Sequence, residues 1–169
     1  MSHTASSLLL RKQLAELNKS GPVGFSAGLF DDDDIFKWLV LIIGPSDTPY
    51  DGGWFKAVLE FPHDYPNHPP KMQFLTEMWH PNISLSGNVC ISILHEPGED
   101  RFGYELPEER WLPVHTVETI VVSVISMLAE PNPDSPANVD AAKMFRDDYE
   151  EFKRRVKETV RKSLESQSE

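Results

Sequence analysis

Hydrophobic rhythm changes partway along this chain, and the change dictates the kind of fold open to it. From Trp54 to Phe61 the residues alternate, with Phe55, Ala57, Leu59 and Phe61 on one side and Lys56 and Glu60 on the other. That is the period of a strand with one buried face. Ile35 to Ile43 is rich in β-branched and aromatic residues and stops at Gly44-Pro45, the mark of another strand. Lys71 to Thr76 reads as a third, short strand after the rigid Pro69-Pro70. The stretch Pro49-Tyr50-Asp51-Gly52-Gly53 joins the first two, its glycines free to take positive φ. From Asn138 onward the rhythm is different: Ala142, Phe145, Tyr149, Phe152, Val156 and Val160 recur in steps of three or four. This predicts one or two amphipathic helices with a break near Asp147.

Two further segments complete the outline. After Ser6 or Ser7 as N-cap, Leu10, Leu14 and Leu17 share a helical face that ends between Asn18 and Pro22. Val117 to Leu128 is apolar almost all round and heavily β-branched, a pattern that periodicity alone assigns to neither helix nor strand. Its length and the Thr116 cap, with Glu118 in the first turn, favour a buried helix crossing the core. The expected fold is therefore α+β: an N-terminal helix, an antiparallel β-meander, the crossing helix and C-terminal helices, in one domain over residues 1–169. Residues 95–110 interrupt this plan. Glu96, Glu99, Asp100, Glu105, Glu108 and Glu109 face Arg101 and Arg110 there, without periodicity, in a connection long enough to be either a functional or a mobile loop.

Composition narrows function by exclusion. The formal net charge is -11, so phosphate backbones and anionic lipid are repelled and nucleic acid and membrane surfaces are poor partners. A single cysteine rules out an internal disulfide framework and argues against an oxidising compartment. The N-terminus has no charged n-region, Leu8-Leu9-Leu10 is too short for a signal core, and no apolar run reaches membrane-spanning length. A protein of the cytoplasm or nucleus is expected, with no membrane insertion.

Cys90 is the first candidate for chemistry. Flanked by Val89, Ile91 and Ile93, it could be a small buried hydrophobe. The turn-forming run Ser84-Leu85-Ser86-Gly87-Asn88 just before it would instead hold the thiol near a surface, where a nucleophile must be. Asn82, in His80-Pro81-Asn82, is close enough for its amide to reach a carbonyl held on the sulfur and to stabilise an oxyanion. It is equally a good turn former after proline, and His80 can serve simply as a hydrogen-bonding partner for nearby backbone. Scattered histidines and one cysteine give no metal-ligand spacing, and Gly52-Gly53 lacks the helix and Lys-Ser/Thr of a phosphate loop, so no metal or cofactor is expected.

Six stretches in collinear order now bear on identity. Tyr50-Asp51-Gly52-Gly53-Trp54-Phe55, then Phe61-Pro62-His63-Asp64-Tyr65-Pro66 with Pro69-Pro70-Lys71, then His80-Pro81-Asn82 and Cys90, resemble the ubiquitin-conjugating enzymes. So do Trp111-Leu112-Pro113 and Pro131-Asn132-Pro133-Asp134-Ser135-Pro136. The resemblance runs from about residue 8 to residue 164, and the acidic insertion at 95–110 is similar to that of the G subclass. It implies a carrier that receives ubiquitin from a ubiquitin-activating enzyme as a thioester on Cys90. It also implies transfer to a lysine with a RING-type ubiquitin ligase, building chains of the linkage that marks proteins for the proteasome. Asn82 takes the place of the asparagine credited with oxyanion stabilisation or loop ordering.

Two positions depart from the family. Ser135 stands where many members have Asp beside the outgoing thioester, and a hydroxyl is no base near neutral pH. Asp134, His95 or an acidic-loop carboxylate, Glu99 and Asp100 above all, would then position the acceptor. Asn67 replaces a large apolar side chain in the ligase-binding loop, leaving Pro66, Leu112, Pro113 and Val114 for that contact. Arg11 and Lys12 on the first helix are candidate contacts for both the activating enzyme and the ligase. A non-catalytic ubiquitin-binding relative would lack Cys90, and a carrier of another ubiquitin-like modifier would share the motifs but charge with a different protein.

Overall fold

The computed structural model describes residues 4–98 and 105–165. Helix α1 (Ala5–Ser20) precedes strands β1 (Phe25–Leu29), β2 (Lys37–Ile43), β3 (Trp54–Glu60) and β4 (Lys71–Phe74); helices α2 (Val117–Ala129), α3 (Val139–Asp147) and α4 (Tyr149–Glu165) follow. The strands lie in the order β1-β2-β3-β4, all antiparallel, which is the expected meander with one strand more. The extra strand, β1, hides in the sequence because Ser26, Ala27 and Gly28 carry no bulky β-former. Its extended state comes from the ladder it makes with β2, Phe25 opposite Ile42 through Leu29 opposite Trp38. β2 starts at Lys37 rather than Ile35 because the Asp34 carboxylate accepts the Phe36 N–H at 2.9 Å and holds a turn there.

Register follows burial. Trp38, Val40 and Ile42 face Leu59, Ala57 and Phe55 directly across the β2–β3 ladder, and all six are fully buried. A slip of one residue would turn the whole set to the other face. Each buried side chain of the Leu or Phe class contributes roughly 1.5–3 kcal/mol, so this pairing holds the sheet in place.

The helices supply the rest of the core. The N-cap of α1 is Thr4, two or three residues earlier than expected: its Oγ1 accepts the Ser7 N–H at 3.1 Å. Ser6 and Ser7 are buried inside the helix, and Ser6 Oγ donates to the Tyr65 carbonyl at 2.7 Å. The Thr116 cap of α2 is as expected and is strengthened by Thr119, whose Oγ1 accepts the Thr116 N–H at 2.8 Å. Val117, Ile120, Val121, Val124, Met127 and Leu128 join the inner face of the sheet in one hydrophobic cluster. The outer side of α2 is open, with Val122 48% exposed, so an apolar-looking sequence gives a one-faced helix. The break near Asp147 is the single residue Asp148, between α3 and α4.

One connection places the chemistry. Phe74 N–H donates to the Gly87 carbonyl at 2.8 Å and Val89 N–H to the Met72 carbonyl at 3.0 Å, so residues 87–89 run antiparallel beside β4. Gly87 has φ 97°, and a Cβ there would meet the Phe74 carbonyl oxygen at 2.2 Å, which only glycine avoids. The chain leaves this ladder at Cys90.

Candidate active site

Cys90 is exposed, which decides between the two readings its neighbours allowed. Its N–H is held by the Asn82 carbonyl at 2.9 Å, and the short 3₁₀ turn Ser92–Leu94 follows at once. The sulfur stands in a groove of about 770 Å³ lined by Asn82, His95, Glu105, Glu109, Asp134 and Ser135 among others. Partial desolvation, then the Glu105 carboxylate, push the thiol above its ordinary value and keep it protonated at neutral pH.

The floor of the groove is a hydrogen-bonded turn. His80 is completely buried, its Nε2–H donating to the Met127 carbonyl at 2.8 Å while Nδ1 accepts the Asn82 N–H at 2.9 Å. Burial lowers its pKa to about 4, against the opposing pull of the Met127 bond, so the ring is neutral. His80 therefore joins the end of α2 to the turn. The Pro81 carbonyl accepts from Ala137 N–H at 2.8 Å and Asn138 N–H at 3.0 Å. Asn82, 2% exposed, directs its carboxamide at the far wall. Nδ2 donates to the Asn132 carbonyl at 2.8 Å and more weakly to the Ser135 carbonyl at 3.4 Å, while Oδ1 accepts the Asn132 N–H at 2.8 Å. All these partners belong to residues 132–138, which carry the exposed Asp134 and Ser135 side chains.

The opposite wall is the acidic insertion, described at its two ends. Trp111 N–H donates to the His95 carbonyl at 3.1 Å and closes the base of the loop. His95 Nε2 lies 3.8 Å from Cys90 Sγ, and its Nδ1 lies 2.8 Å from Glu105 Oε2. Arg110 Nε is 3.4 Å from the other Glu105 oxygen. Glu96 pairs with His68 at 2.6 Å, and Asp64 lies 3.3 Å from the same ring; Glu96 first and Asp64 second raise the His68 pKa. Glu99 and Asp100 lie outside the described residues.

The groove thus gathers Cys90, Asn82, His95, Asp134 and Ser135, all singled out in the sequence. It adds Glu105 and Glu109, which the sequence offered only as members of a charge run, since no spacing rule distinguishes one carboxylate of such a run from the next. The remaining candidates form a separate surface. Trp111 Nε1–H donates to the Pro66 carbonyl at 2.7 Å and so joins the loop of Pro66 and exposed Asn67 to that of Leu112, Pro113 and Val114. Buried Gln13 brings α1 to the same place: its Oε1 accepts from Tyr65 Oη–H and from Val117 N–H, each at 3.1 Å. Arg11 and Lys12 lie exposed next to it on α1.

The site thus presents an exposed thiol in a groove, with a neutral histidine turn beneath it and carboxylates around it. Comparison with known proteins identifies the family. The family model described as ubiquitin-conjugating enzyme matches residues 9–160. The Caenorhabditis elegans protein named probable ubiquitin-conjugating enzyme E2 7 is 68% identical over 160 residues, 95% of this chain and 98% of its own. Human ubiquitin-conjugating enzyme E2 G2 is 54% identical over 155 residues, 92% of this chain and 94% of its own. The solved structure of human ubiquitin-conjugating enzyme E2 G1 is 66% identical, with a TM-score of 0.68 over 75% of this chain and 97% of that one. The chain belongs to the ubiquitin-conjugating enzyme family, in its G subclass, and is a ubiquitin-conjugating transferase.

Proposed function

We propose that this chain, acting as one catalytic domain, takes ubiquitin from an activating enzyme as a thioester on Cys90 and passes it to lysine with a RING-type ligase. Chains of the proteasome-targeting linkage are the expected product. The single observation that carries the reading is an exposed cysteine, the sole thiol of the chain, standing in a groove walled by polar groups. Transthiolation suits a sulfur nucleophile because the acyl-transfer energy is kept in the new thioester, and an amine can then displace it. Asn82 orders residues 132–135, Asp134 and His95 position the acceptor amine, and Glu99 and Asp100 draw in the basic surface of an acceptor ubiquitin. Pro66, Asn67, Leu112, Pro113 and Val114 receive the ligase, with Arg11 and Lys12 serving both ligase and activating enzyme. The proposed place of work is the cytoplasm or nucleus; among the described residues no helix is long and apolar enough to cross a membrane.

The test is a charging assay with ubiquitin, activating enzyme and ATP. A band sensitive to thiols is expected for the wild type and must vanish in Cys90→Ala, while Cys90→Ser traps a slower, thiol-resistant ester. Persistence of the band in Cys90→Ala would sink the proposal. Charging with another ubiquitin-like modifier in preference to ubiquitin would overturn the choice of cargo.

A further inference from the structure

The groove raises a question of proton traffic. The acceptor lysine arrives as an ammonium and must lose a proton before its nitrogen can attack the thioester carbonyl. Ser135 offers a hydroxyl that cannot take that proton near neutral pH. The sulfur itself is no help, since in the thioester it carries the acyl group and is not free to take a proton. Among the described residues, His95 Nε2 lies 3.8 Å from the sulfur and is a nitrogen that can take a proton.

Which nitrogen of His95 carries its hydrogen is decided one residue further out. Both oxygens of Glu105 lie within hydrogen-bond distance of Nδ1, at 2.9 and 2.8 Å. A carboxylate only accepts, so Nδ1 is the protonated nitrogen and the Nε2 lone pair points towards Cys90. Arg110 Nε lies 3.4 Å from Glu105 Oε1, and both side chains are mostly buried, at 20% and 19% exposure. The backbone bond from Trp111 N–H to the His95 carbonyl fixes the opposite end of the unit. Glu109 and Asp134 also line the groove, and Cys90, Glu105 and Arg110 are titratable or charged groups at or next to the ring, with Glu96 adjacent in sequence and paired to His68. His95, Glu105 and Arg110 all belong to the insertion at 95–110, and Cys90 and Trp111 flank it.

Resting on the thioester reading above, we propose that Glu105, steadied by Arg110, is the positioning residue that sets His95 as the proton relay for lysine transfer at Cys90. One proton of the ammonium passes to Nε2, a second is released to solvent and the third stays on the nitrogen of the product amide. The amine nitrogen bonds to the carbonyl carbon, the carbon–sulfur bond breaks, and the leaving sulfur regains the relayed proton from Nε2. The products are an isopeptide, a free thiol and one proton in solution. His95 touches the reacting atoms in this scheme; Glu105 acts through it.

The experiment begins with charged protein, chased with free lysine from pH 6 to pH 9 in the wild type and in Glu105→Gln, Glu105→Asp, His95→Gln and the double variant His95→Gln/Glu105→Gln. Glutamine can donate to Nδ1 as readily as it accepts, so it releases the tautomer. Discharge should fall on the order of a hundredfold in His95→Gln, with the rise in rate on the acid side of the profile flattened. Glu105→Gln should lose a comparable factor, Glu105→Asp should recover part of it, and the double variant should be no slower than His95→Gln alone. Ring ¹⁵N shifts of His95 in the uncharged wild type should report the Nδ1–H tautomer, and Glu105→Gln should mix the two forms. The proposal is overturned by wild-type discharge in Glu105→Gln, by losses that multiply in the double variant, or by an Nε2–H tautomer in the wild type. Absence of a Cys90-dependent thioester would instead defeat the reading on which it rests, and the charging step reports that separately.

Discussion

Replacing Asn82 by alanine tests whether its carboxamide orders the groove or acts on the reacting carbonyl. In the structure the amide is committed to its neighbours: two bonds of 2.8 Å join it to both backbone groups of Asn132, and a longer one of 3.4 Å reaches Ser135. Each short bond contributes about 1 kcal/mol net, and Asn132 is exposed enough for water to satisfy its freed groups, so the loss is about 2 kcal/mol. For a chain of this length that corresponds to a fall in Tm of roughly 4–8 °C. Residues 132–135 then lose their anchor beside the sulfur, and a displacement of about 1 Å in such a wall costs on the order of a hundredfold in rate. Lysine discharge should suffer that loss. Charging should suffer far less, because a thiol nucleophile needs less help from its surroundings. Thermal melts and single-turnover charge and discharge rates on the same preparation make the measurement. An unchanged Tm with discharge abolished would refute the ordering argument and assign the amide to the oxyanion. Equal losses in charging and discharge would point to a general folding defect.

Ser135→Ala should slow discharge by less than about fivefold, roughly 1 kcal/mol, because the backbone carbonyl and not the hydroxyl meets Asn82. Ser135→Asp should raise discharge onto free lysine, and a severe loss in the alanine variant with charging intact would show that the hydroxyl has a direct role. His80, held neutral with a pKa of about 4 against about 6.5 unfolded, makes the fold acid-sensitive. The unfolded chain binds the proton first, so its contribution is complete above pH 6.5 and is lost as pH falls towards 4, about 3 kcal/mol in all. An NMR titration of the ring with a midpoint near 6.5 would contradict this. Neutralising Glu99 and Asp100 together should slow ubiquitin-to-ubiquitin transfer at low salt and leave charging near wild type, with the difference shrinking as ionic strength rises. Unchanged chain formation at low salt would make the two carboxylates plain surface groups.

The elements legible in the sequence were those whose signal is local. The alternation in Trp54–Glu60, the Thr116 cap and the three-or-four spacing of Phe145, Tyr149, Phe152 and Val156 each survive without knowledge of neighbours. β1 was not legible because Ser26, Ala27 and Gly28 become a strand only against β2. The first cap was misplaced because Ser6 and Ser7 look like capping residues but serve the interior, Ser6 by binding Tyr65, far away in sequence. The same distinction holds in the groove. Cys90 could be found because it is unique, and Asn82 because it sits in a recognisable turn. Glu105 could not be found, since its importance lies in the side chain it faces, and loop geometry alone decides that.

The bonds between Asn82 and Asn132 span fifty residues of chain, and this has a bearing on the order in which the molecule is made. A ribosome delivers Cys90 and the His80 turn well before the segment that completes their groove. A nascent or prematurely ended chain that stops short of Asn132 would display the thiol, yet Asn82 would have nothing to grip. His80 likewise waits for the Met127 carbonyl at the end of α2. An unfinished chain thus lacks one wall of the groove beside Cys90, and that wall is seated only when residues 132–138 have joined the His80 turn.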